Sequence, residues 1–174
     1  EESEAIIGKL LDHYYEINAG IGVHKSPELY GAFPTDAYSH TPATKGAQQP
    51  GMTGQVKEDL LSRFGELGVF VKDGVVVFKP RLLKDSEFLD TAQTFEYINI
   101  VREKQTLNIY ENQLCFTYCQ VPIIYKKSDT SYVEVVFNDE KTIGFNDLTL
   151  NKEISTKLFN RTNEINHIKV SIVK

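Results

Sequence analysis

The amino-acid sequence predicts an α+β fold in which two N-terminal helices precede an antiparallel β-sandwich or jelly roll. Two segments before residue 68 carry apolar side chains at every third or fourth position, which is the period of an amphipathic helix. After Gly68 the apolar residues form short runs separated by polar turns, which is the pattern of strands. Since no helical period is evident between these runs, we expect the second part of the chain to be all-β.

The first helix is expected from Glu4 to about Glu16, with Ser3 as its N-cap. Its apolar stripe contains Ile6, Ile7, Leu10, Leu11 and Tyr14. The second helix is expected from about Gly54 to Glu66, and its apolar residues are Val56, Leu60, Leu61, Phe64 and Leu67. Residues 21–52 lie between the two helices without a sustained period. A run of this length inside a compact domain is either functional or wrongly assigned.

A β-hairpin is expected directly after the second helix. Val69–Val71 and Val75–Phe78 flank an Asp73-Gly74 turn, and Asp-Gly tolerates the positive φ angles of tight hairpin turns. Further strands are predicted at Thr94–Val101, Thr106–Tyr110, Leu114–Tyr125, Tyr132–Phe137, Ile154–Phe159 and His167–Val173, with Pro122 as a possible break in the third of them. This pattern divides the chain into a helical segment with a long loop, residues 1–68, and a β-sandwich domain, residues 69–174.

The composition is typical of a globular protein with neutral or apolar partners. Of the 174 residues, 41% are hydrophobic and 25% are charged. The formal net charge of -5 argues against nucleic-acid binding, which normally needs a basic face. No apolar run reaches the roughly 18 residues of a membrane-spanning helix, so no membrane partner is expected. The chain starts without Met and without a leader, so we expect an excised fragment or a processed protein.

Cys115 and Cys119 are the two cysteines, and both fall in one predicted strand. An extended strand would separate their α-carbons by about 13 Å, which is too far for a disulfide. We therefore expect two reduced, mostly buried thiols on one face with Thr117, and Phe116 and Tyr118 on the other. Free thiols favour the cytoplasm over the periplasm or a secreted location, but they do not determine the location.

The stretch from Gly46 to Leu83, GAQQPGMTGQVKEDLLSRFGELGVFVKDGVVVFKPRLL, has a characteristic order of features. A Thr-Gly dipeptide begins a helix, which Leu-Gly-Val, an Asp-Gly hairpin and an apolar strand follow. This order resembles the junction between barrel and C-terminal β-sandwich in the (α/α)₆-barrel glycoside hydrolases and phosphorylases, the six-hairpin relatives of cellobiose and maltose phosphorylase. The resemblance implies that the two helices are the last of a barrel whose other helices lie upstream.

The same resemblance implies that the general acid lies upstream, so the chain alone is expected to be inactive. In the phosphorylases an aromatic residue typically precedes the Thr-Gly dipeptide, and small residues with a Trp follow it. Here Pro50-Gly51-Met52 precedes the dipeptide and the segment from Gln55 to Glu58 follows it. Hydrolysis and phosphorolysis therefore both stay open.

The long loop contains the residue types that contact sugars. The candidate glycan-binding residues are Tyr30, Phe33, Asp36, Tyr38, His40, Gln48 and Gln49. Aromatic rings offer an apolar face to a sugar ring, and amides both donate to and accept from hydroxyls. Asp36 and His40 are close enough in sequence to transfer a proton together or to orient a ligand. Alternatively, the loop packs its own aromatic residues over the two helices.

Thr53 and Gly54 form a candidate anion site, because free N–H groups and the helix dipole favour negative charge at a helix N-terminus. The resemblance implies that this pair contributes to a phosphate site. The alternative is that Thr53 is only an N-cap. None of the four histidines has a second ligand at metal spacing, so no metal or other cofactor is expected.

Together these features predict the C-terminal portion of a carbohydrate-active enzyme. Its expected partners are an oligosaccharide and the upstream barrel, and homo-oligomerisation stays open. The rival hypothesis is a non-catalytic carbohydrate-binding or structural module that uses exposed aromatics such as Tyr110, Tyr125 or Tyr132. If the barrel account is correct, some apolar residues of the two helices should lie exposed in this chain.

Overall fold

The computed structural model of the protein describes residues 2–19 and 55–173. The chain divides into two compact units, Glu1–Leu60 and Leu61–Lys174. Helix α1 (Glu2–Ala19) extends beyond its predicted bounds at both ends, and helix α2 (Gln55–Leu67) begins and ends one residue later than predicted. The segment expected to lack regular structure, 21–52, lies outside the described residues. Both predicted helices are thus confirmed.

The predicted hairpin follows α2 directly. Gly68 ends the helix with a φ of 68°, and its carbonyl accepts a hydrogen bond from the Lys79 N–H at 2.6 Å. Strands β1 (Val69–Lys72) and β2 (Val75–Phe78) pair antiparallel around Asp73 and Gly74, whose φ angles are 53° and 75°. Two successive positive φ angles are those of the tight turn predicted from the Asp-Gly dipeptide.

Two further elements precede the main sheet. A short 3₁₀ helix spans Asp85–Glu87. Strands β3 (Gln93–Ile98) and β4 (Lys104–Ile109) then form a second antiparallel hairpin, close to the two strands predicted in this region.

A five-stranded sheet forms the centre of the C-terminal unit. Its strands are β5 (Gln113–Tyr118), β6 (Val121–Lys127), β7 (Tyr132–Phe137), β8 (Thr142–Phe145) and β9 (Ile165–Ile172). They lie in the order β5-β6-β9-β7-β8, so the last strand is inserted between two earlier hairpins. Strand β9 is parallel to β6 and antiparallel to β7. The expected antiparallel pairing is therefore correct for every described pair except β6 and β9.

The predicted strand at Ile154–Phe159 is wrong, because this segment is helix α3 (Lys152–Phe159). Asn151 is its N-cap, and the Asn151 Oδ1 accepts from the Ile154 N–H at 2.8 Å. Ile154 and Leu158 are four residues apart and both are buried, which is helical spacing. The expectation of an all-β second part is corrected accordingly, and helices are not confined to the N-terminal part.

The predicted strand Leu114–Tyr125 is two strands. Cys119 and Gln120 have φ angles of 50° and 64° and form the tight turn between β5 and β6. The prediction that Cys115 and Cys119 share one strand face is therefore wrong, because Cys119 lies in the turn. Both thiols are free, as expected, but each is half-buried rather than mostly buried. Thr117 is exposed near the end of β5.

The core of the C-terminal unit lies against one face of the five-stranded sheet. It joins residues of β6, β7 and β9 to the end of α2, the β1–β2 hairpin and α3. Tyr125 is fully buried at its centre, and its hydroxyl donates to the Leu67 carbonyl at 2.6 Å. The Val76 N–H donates to the Ser155 Oγ at 3.1 Å, which joins β2 to α3. The hairpin and α3 therefore cover the apolar face of the sheet.

Among residues 2–19 and 55–173, none of the helices combines the length and the apolar character that crossing a membrane requires.

Candidate functional site

The sugar-contacting and anion-binding residues predicted from the sequence lie outside the described residues. They are Tyr30, Phe33, Asp36, Tyr38, His40, Gln48, Gln49, Thr53 and Gly54. Their roles therefore stay predictions.

Of the three tyrosines that the rival hypothesis offers as examples of ligand-binding aromatics, the structure excludes one. Tyr125 has no exposed surface, because it points into the core between Phe78 and Phe116. Tyr110 is 60% exposed and Tyr132 is 38% exposed. Only these two of the three can present a ring to a ligand.

Tyr132 lines a cleft of about 200 Å³ on the polar face of the five-stranded sheet. We call this cleft the sheet-face cleft, and its lining residues are Gln113, Ile124, Lys126, Tyr132, Glu134, Lys169 and Ser171. They share one face because side chains alternate along a strand.

The register of the sheet places the lining residues of this cleft in two rows. Lys126 pairs with both Gln113 and Ser171, and Ser171 also pairs with Tyr132, so four strands contribute to one row. Lys169 lies between Ile124 and Glu134 in the next row. The cleft therefore depends on β9 being inserted between β6 and β7.

The polar side chains of this cleft are held by local contacts. The Lys169 Nζ lies 2.9 Å from the Glu134 Oε2. The Gln113 Oε1 accepts from the Tyr110 N–H at 2.9 Å, which connects the loop before β5 to the cleft. The Tyr132 ring extends over Gly144, where an added Cβ would overlap the tyrosine hydroxyl. The Tyr132 ring can therefore occupy this position because residue 144, on β8, has no side chain.

This arrangement is suited to binding rather than to bond cleavage. Hydrolysis of a glycosidic bond usually requires two carboxyl groups, one as acid and the other as base or nucleophile. The cleft contains one carboxylate, Glu134, and it is paired with the Lys169 ammonium. A tyrosine ring, an amide, a hydroxyl and two ammonium groups can instead hold a polar ligand through hydrogen bonds.

Two further residue types in the described ranges do not form a reactive centre. Burial raises the pKa of the Cys115 thiol to about 12, so it stays protonated and is a poor nucleophile. Burial also lowers the pKa of His167, with a further contribution from the Lys169 ammonium. Within the described ranges, no three His, Cys, Asp or Glu side chains are grouped so that they could hold a metal ion.

Sequence reasoning did not identify the polar residues of the sheet-face cleft. One signal was available, since Lys169 and Ser171 alternate with Ile168, Val170 and Ile172 and therefore face away from the core. The alternation identifies a polar face, but it does not say which residues of other strands lie beside it.

No protein-family model matches the chain, and no curated protein matches it significantly. The family prediction therefore rests on the residue pattern, which covers roughly Tyr30 to Leu83.

Proposed function

We propose that the chain is the C-terminal portion of a carbohydrate-active enzyme, a glycoside hydrolase or phosphorylase. In this proposal α1 and α2 are the last helices of an (α/α)₆ barrel. The five-stranded sheet and the β1–β2 hairpin correspond to the layers of its C-terminal sandwich or jelly roll. The loop that contains Tyr30 and His40 contributes to the glycan site, and Thr53 and Gly54 contribute to anion binding.

The order of elements around α2 supports the proposal. A helix that ends at a glycine, an Asp-Gly hairpin and an apolar strand follow one another without a break, as the resemblance implies. The end of α2 also belongs to the core of the β-rich unit, because Leu67 is buried there and its carbonyl accepts from Tyr125. The end of α2 is therefore part of the β-rich unit.

The observation that carries the proposal is the exposure of apolar residues on both helices. On α1, Leu10 is 63% exposed, and Ile6 and Ile7 are also exposed. On α2, Leu61 is 72% exposed and Leu60 is also exposed. Exposed apolar side chains at helical spacing indicate a missing partner, and the outer and inner helices of a barrel pack on more than one side. The predicted exposure is thus confirmed for these five residues.

Kinetics of the full-length enzyme that contains this chain test the proposal. We expect His40→Ala and Thr53→Ala to lower the turnover of a glycan or to raise its KM. His24→Ala and Thr44→Ala are the matched controls, because both lie in the same segment but outside the predicted site. Assays with and without inorganic phosphate separate phosphorolysis from hydrolysis. Unchanged kinetics of both site variants, or full activity of the 174-residue chain alone, would contradict the proposal.

A non-catalytic carbohydrate-binding module is the second candidate function, and the sheet-face cleft favours it. Tyr132 and the polar side chains around it offer a ring face and hydrogen-bonding groups on one sheet surface. Isothermal titration of the 174-residue chain with oligosaccharides tests this function. Tyr132→Ala should abolish the binding. Tyr118→Ala is not expected to remove a ligand contact, because Tyr118 lies on the face of the sheet opposite to the cleft. Absence of binding leaves a structural or interface role for the β-domain.

A further inference from the structure

A second cleft, of about 220 Å³, lies at the end of the β3–β4 hairpin. We call it the amide cleft, because six of its lining residues are asparagine or glutamine: Asn99, Gln105, Gln120, Asn138, Asn163 and Asn166. They come from three separate parts of the C-terminal unit, namely the β3–β4 hairpin, the β5–β6 turn, and the region formed by the end of β7 and the start of β9 with the residues next to them.

Hydrogen bonds to neighbouring groups orient these amides. The Asn99 Oδ1 accepts from the Glu103 N–H at 2.8 Å, and the Gln120 Nε2 donates to the Asn99 carbonyl at 3.1 Å. On the other side, the Asn166 Nδ2 donates to the Asn138 Oδ1 at 3.0 Å. The Asn138 Nδ2 in turn donates to the Asn163 carbonyl at 2.6 Å. The side chains are therefore positioned before any ligand arrives.

These contacts leave hydrogen-bonding capacity for a ligand. A primary amide has two donor hydrogens and an oxygen with two lone pairs. Gln120 uses one donor hydrogen in its bond to Asn99, and its side-chain oxygen accepts no hydrogen bond from the described residues. Among the described residues, the Gln105 side chain makes one long hydrogen bond, 3.4 Å from its Nε2 to the Glu103 Oε2. Groups that both donate and accept match the hydroxyls of a polyol, which also do both.

The charge of the cleft selects against anions. Glu103 is the one charged residue that lines it, and no lysine or arginine does so within the described part of the chain. A phosphate or carboxylate ligand would normally require a cationic partner. The Glu103 carboxylate can instead accept hydrogen bonds from ligand hydroxyls, which are shorter and stronger than those between neutral groups. A neutral polyhydroxylated ligand fits this electrostatic environment.

The volume of the cleft and the tyrosine that lines it restrict the kind of ligand further. The volume is below the roughly 300–1,000 Å³ of sites for drug-sized ligands, so one sugar ring suits it better than an extended chain. Tyr97 lines the cleft and stacks on Phe95, with ring centroids 6.0 Å apart and planes at 19°. A tyrosine held in this way presents an apolar surface to the C–H face of a sugar.

We propose that the amide cleft binds a neutral saccharide through one sugar ring. The site is separate from the loop of residues 30–54 and from the sheet-face cleft, and the proposal does not depend on the enzymatic function proposed above. In an enzyme, such a site holds one end of a glycan without taking part in bond cleavage.

Nuclear magnetic resonance of the ¹⁵N-labelled 174-residue chain tests the proposal, because side-chain NH₂ groups give their own signals. The probes are glucose, xylose, cellobiose and maltose as neutral sugars, and glucuronate and glucose 6-phosphate as anionic ones. We expect the neutral sugars to shift the side-chain signals of Gln105, Gln120 and Asn166, and the anionic ones to leave them unchanged. Shifts by no neutral sugar, or equal shifts by neutral and anionic sugars, would overturn the proposal.

Variants show whether the cleft itself holds the sugar. Gln105→Ala and Gln120→Ala should each weaken binding roughly threefold to tenfold, the effect of one lost hydrogen bond. Asn108→Ala is the matched control, since Asn108 lies exposed on β4 and does not line the cleft. Of the two cleft variants, Gln105→Ala is expected to disturb folding less, because the described side-chain contact of Gln105 is long and exposed.

A second pair of outcomes separates this site from the other proposals. Glu103→Gln should retain neutral sugars and reduce the discrimination against glucuronate, because it removes the negative charge but keeps an acceptor. Binding that Tyr132→Ala abolishes and Gln105→Ala leaves unchanged would overturn the amide cleft and support the sheet-face cleft. Neither outcome alters the kinetics expected of His40→Ala in the full-length enzyme.

Discussion

At the residue scale, Tyr125 shows how one side chain joins several elements. Its ring meets Phe78 and Phe116 edge-on, at centroid distances of 6.1 and 5.2 Å, and its hydroxyl donates to Leu67 at the end of α2. Burial raises the pKa of this hydroxyl, so it remains a donor in the core. The residue thus connects β6, the β1–β2 hairpin and α2.

Tyr125→Phe should lower the free energy of unfolding by about 1–2 kcal/mol, because the buried Leu67 carbonyl loses its donor while the ring packing is kept. Tyr132→Phe is the matched control, since that hydroxyl is on the partly exposed face of the sheet. Denaturation by urea measures both values. Equal stability of Tyr125→Phe and the parent chain would show that the hydrogen bond does not stabilise the core.

Cys115 should make the stability depend on pH in the alkaline range. The pKa of its thiol is raised by burial from 9.0 to about 12 in the folded chain. A folded-state pKa above the unfolded value means that the contribution is complete below pH 9 and is lost as the pH rises toward 12. The free energy of unfolding should therefore fall across this window, and it should fall less in Cys115→Ala. Parallel pH profiles for the two proteins would contradict this assignment.

At the element scale, Gly68 determines how α2 continues into β1. Its positive φ of 68° disfavours a side chain, and a Cβ there would collide with the Lys79 backbone. Gly74 also has a positive φ, 75°, but a Cβ there would meet open space. Alanine substitutions at the two positions therefore separate two free-energy costs, that of the left-handed backbone conformation and that of the steric collision.

Gly74→Ala should lower the free energy of unfolding by about 1 kcal/mol, which is the cost of a left-handed alanine. Gly68→Ala should cost more than about 2 kcal/mol, because the backbone must also shift. Thermal unfolding monitored by circular dichroism measures both. A smaller loss for Gly68→Ala than for Gly74→Ala would show that the chain relaxes freely between α2 and β1.

Local sequence patterns identified some of the helices and strands and not others. Alternation and turn residues identified the β1–β2 hairpin and Tyr132–Phe137, because a strand and its turn are local features. Helix α3 was assigned as a strand, since a short apolar run is compatible with both periods. The sequence signal for a helix at this position is the N-cap Asn151. Strand β8 (Thr142–Phe145) was also missed, because its residues are mostly exposed and show no apolar alternation.

At the scale of the whole molecule, the exposed apolar side chains of α1 and α2 should affect association. Apolar residues that lack a partner tend to be covered by a second copy when the rest of the protein is absent. We expect the isolated chain to self-associate, and Leu61→Lys to reduce this association while changing the free energy of unfolding by less than about 0.5 kcal/mol. Light scattering after gel filtration measures the molar mass.

Val173→Lys is the matched control, because Val173 is a similarly exposed apolar residue beyond the end of β9. It should leave the association unchanged. A monomeric parent chain, or equal effects of both variants, would remove the support that these helices give to the barrel proposal.

The sequence by itself determined the two amphipathic helices, the change to strands after Gly68 and the tight Asp73-Gly74 turn. Each of these depends on spacing within a few residues. Only the tertiary structure decided that β9 lies between β6 and β7, parallel to the first and antiparallel to the second. The reason is that pairing between strands distant in sequence depends on the total burial in the core, which no local pattern records. Both clefts follow from that pairing, since Tyr132 meets Ser171, and Asn138 meets Asn166, only across it.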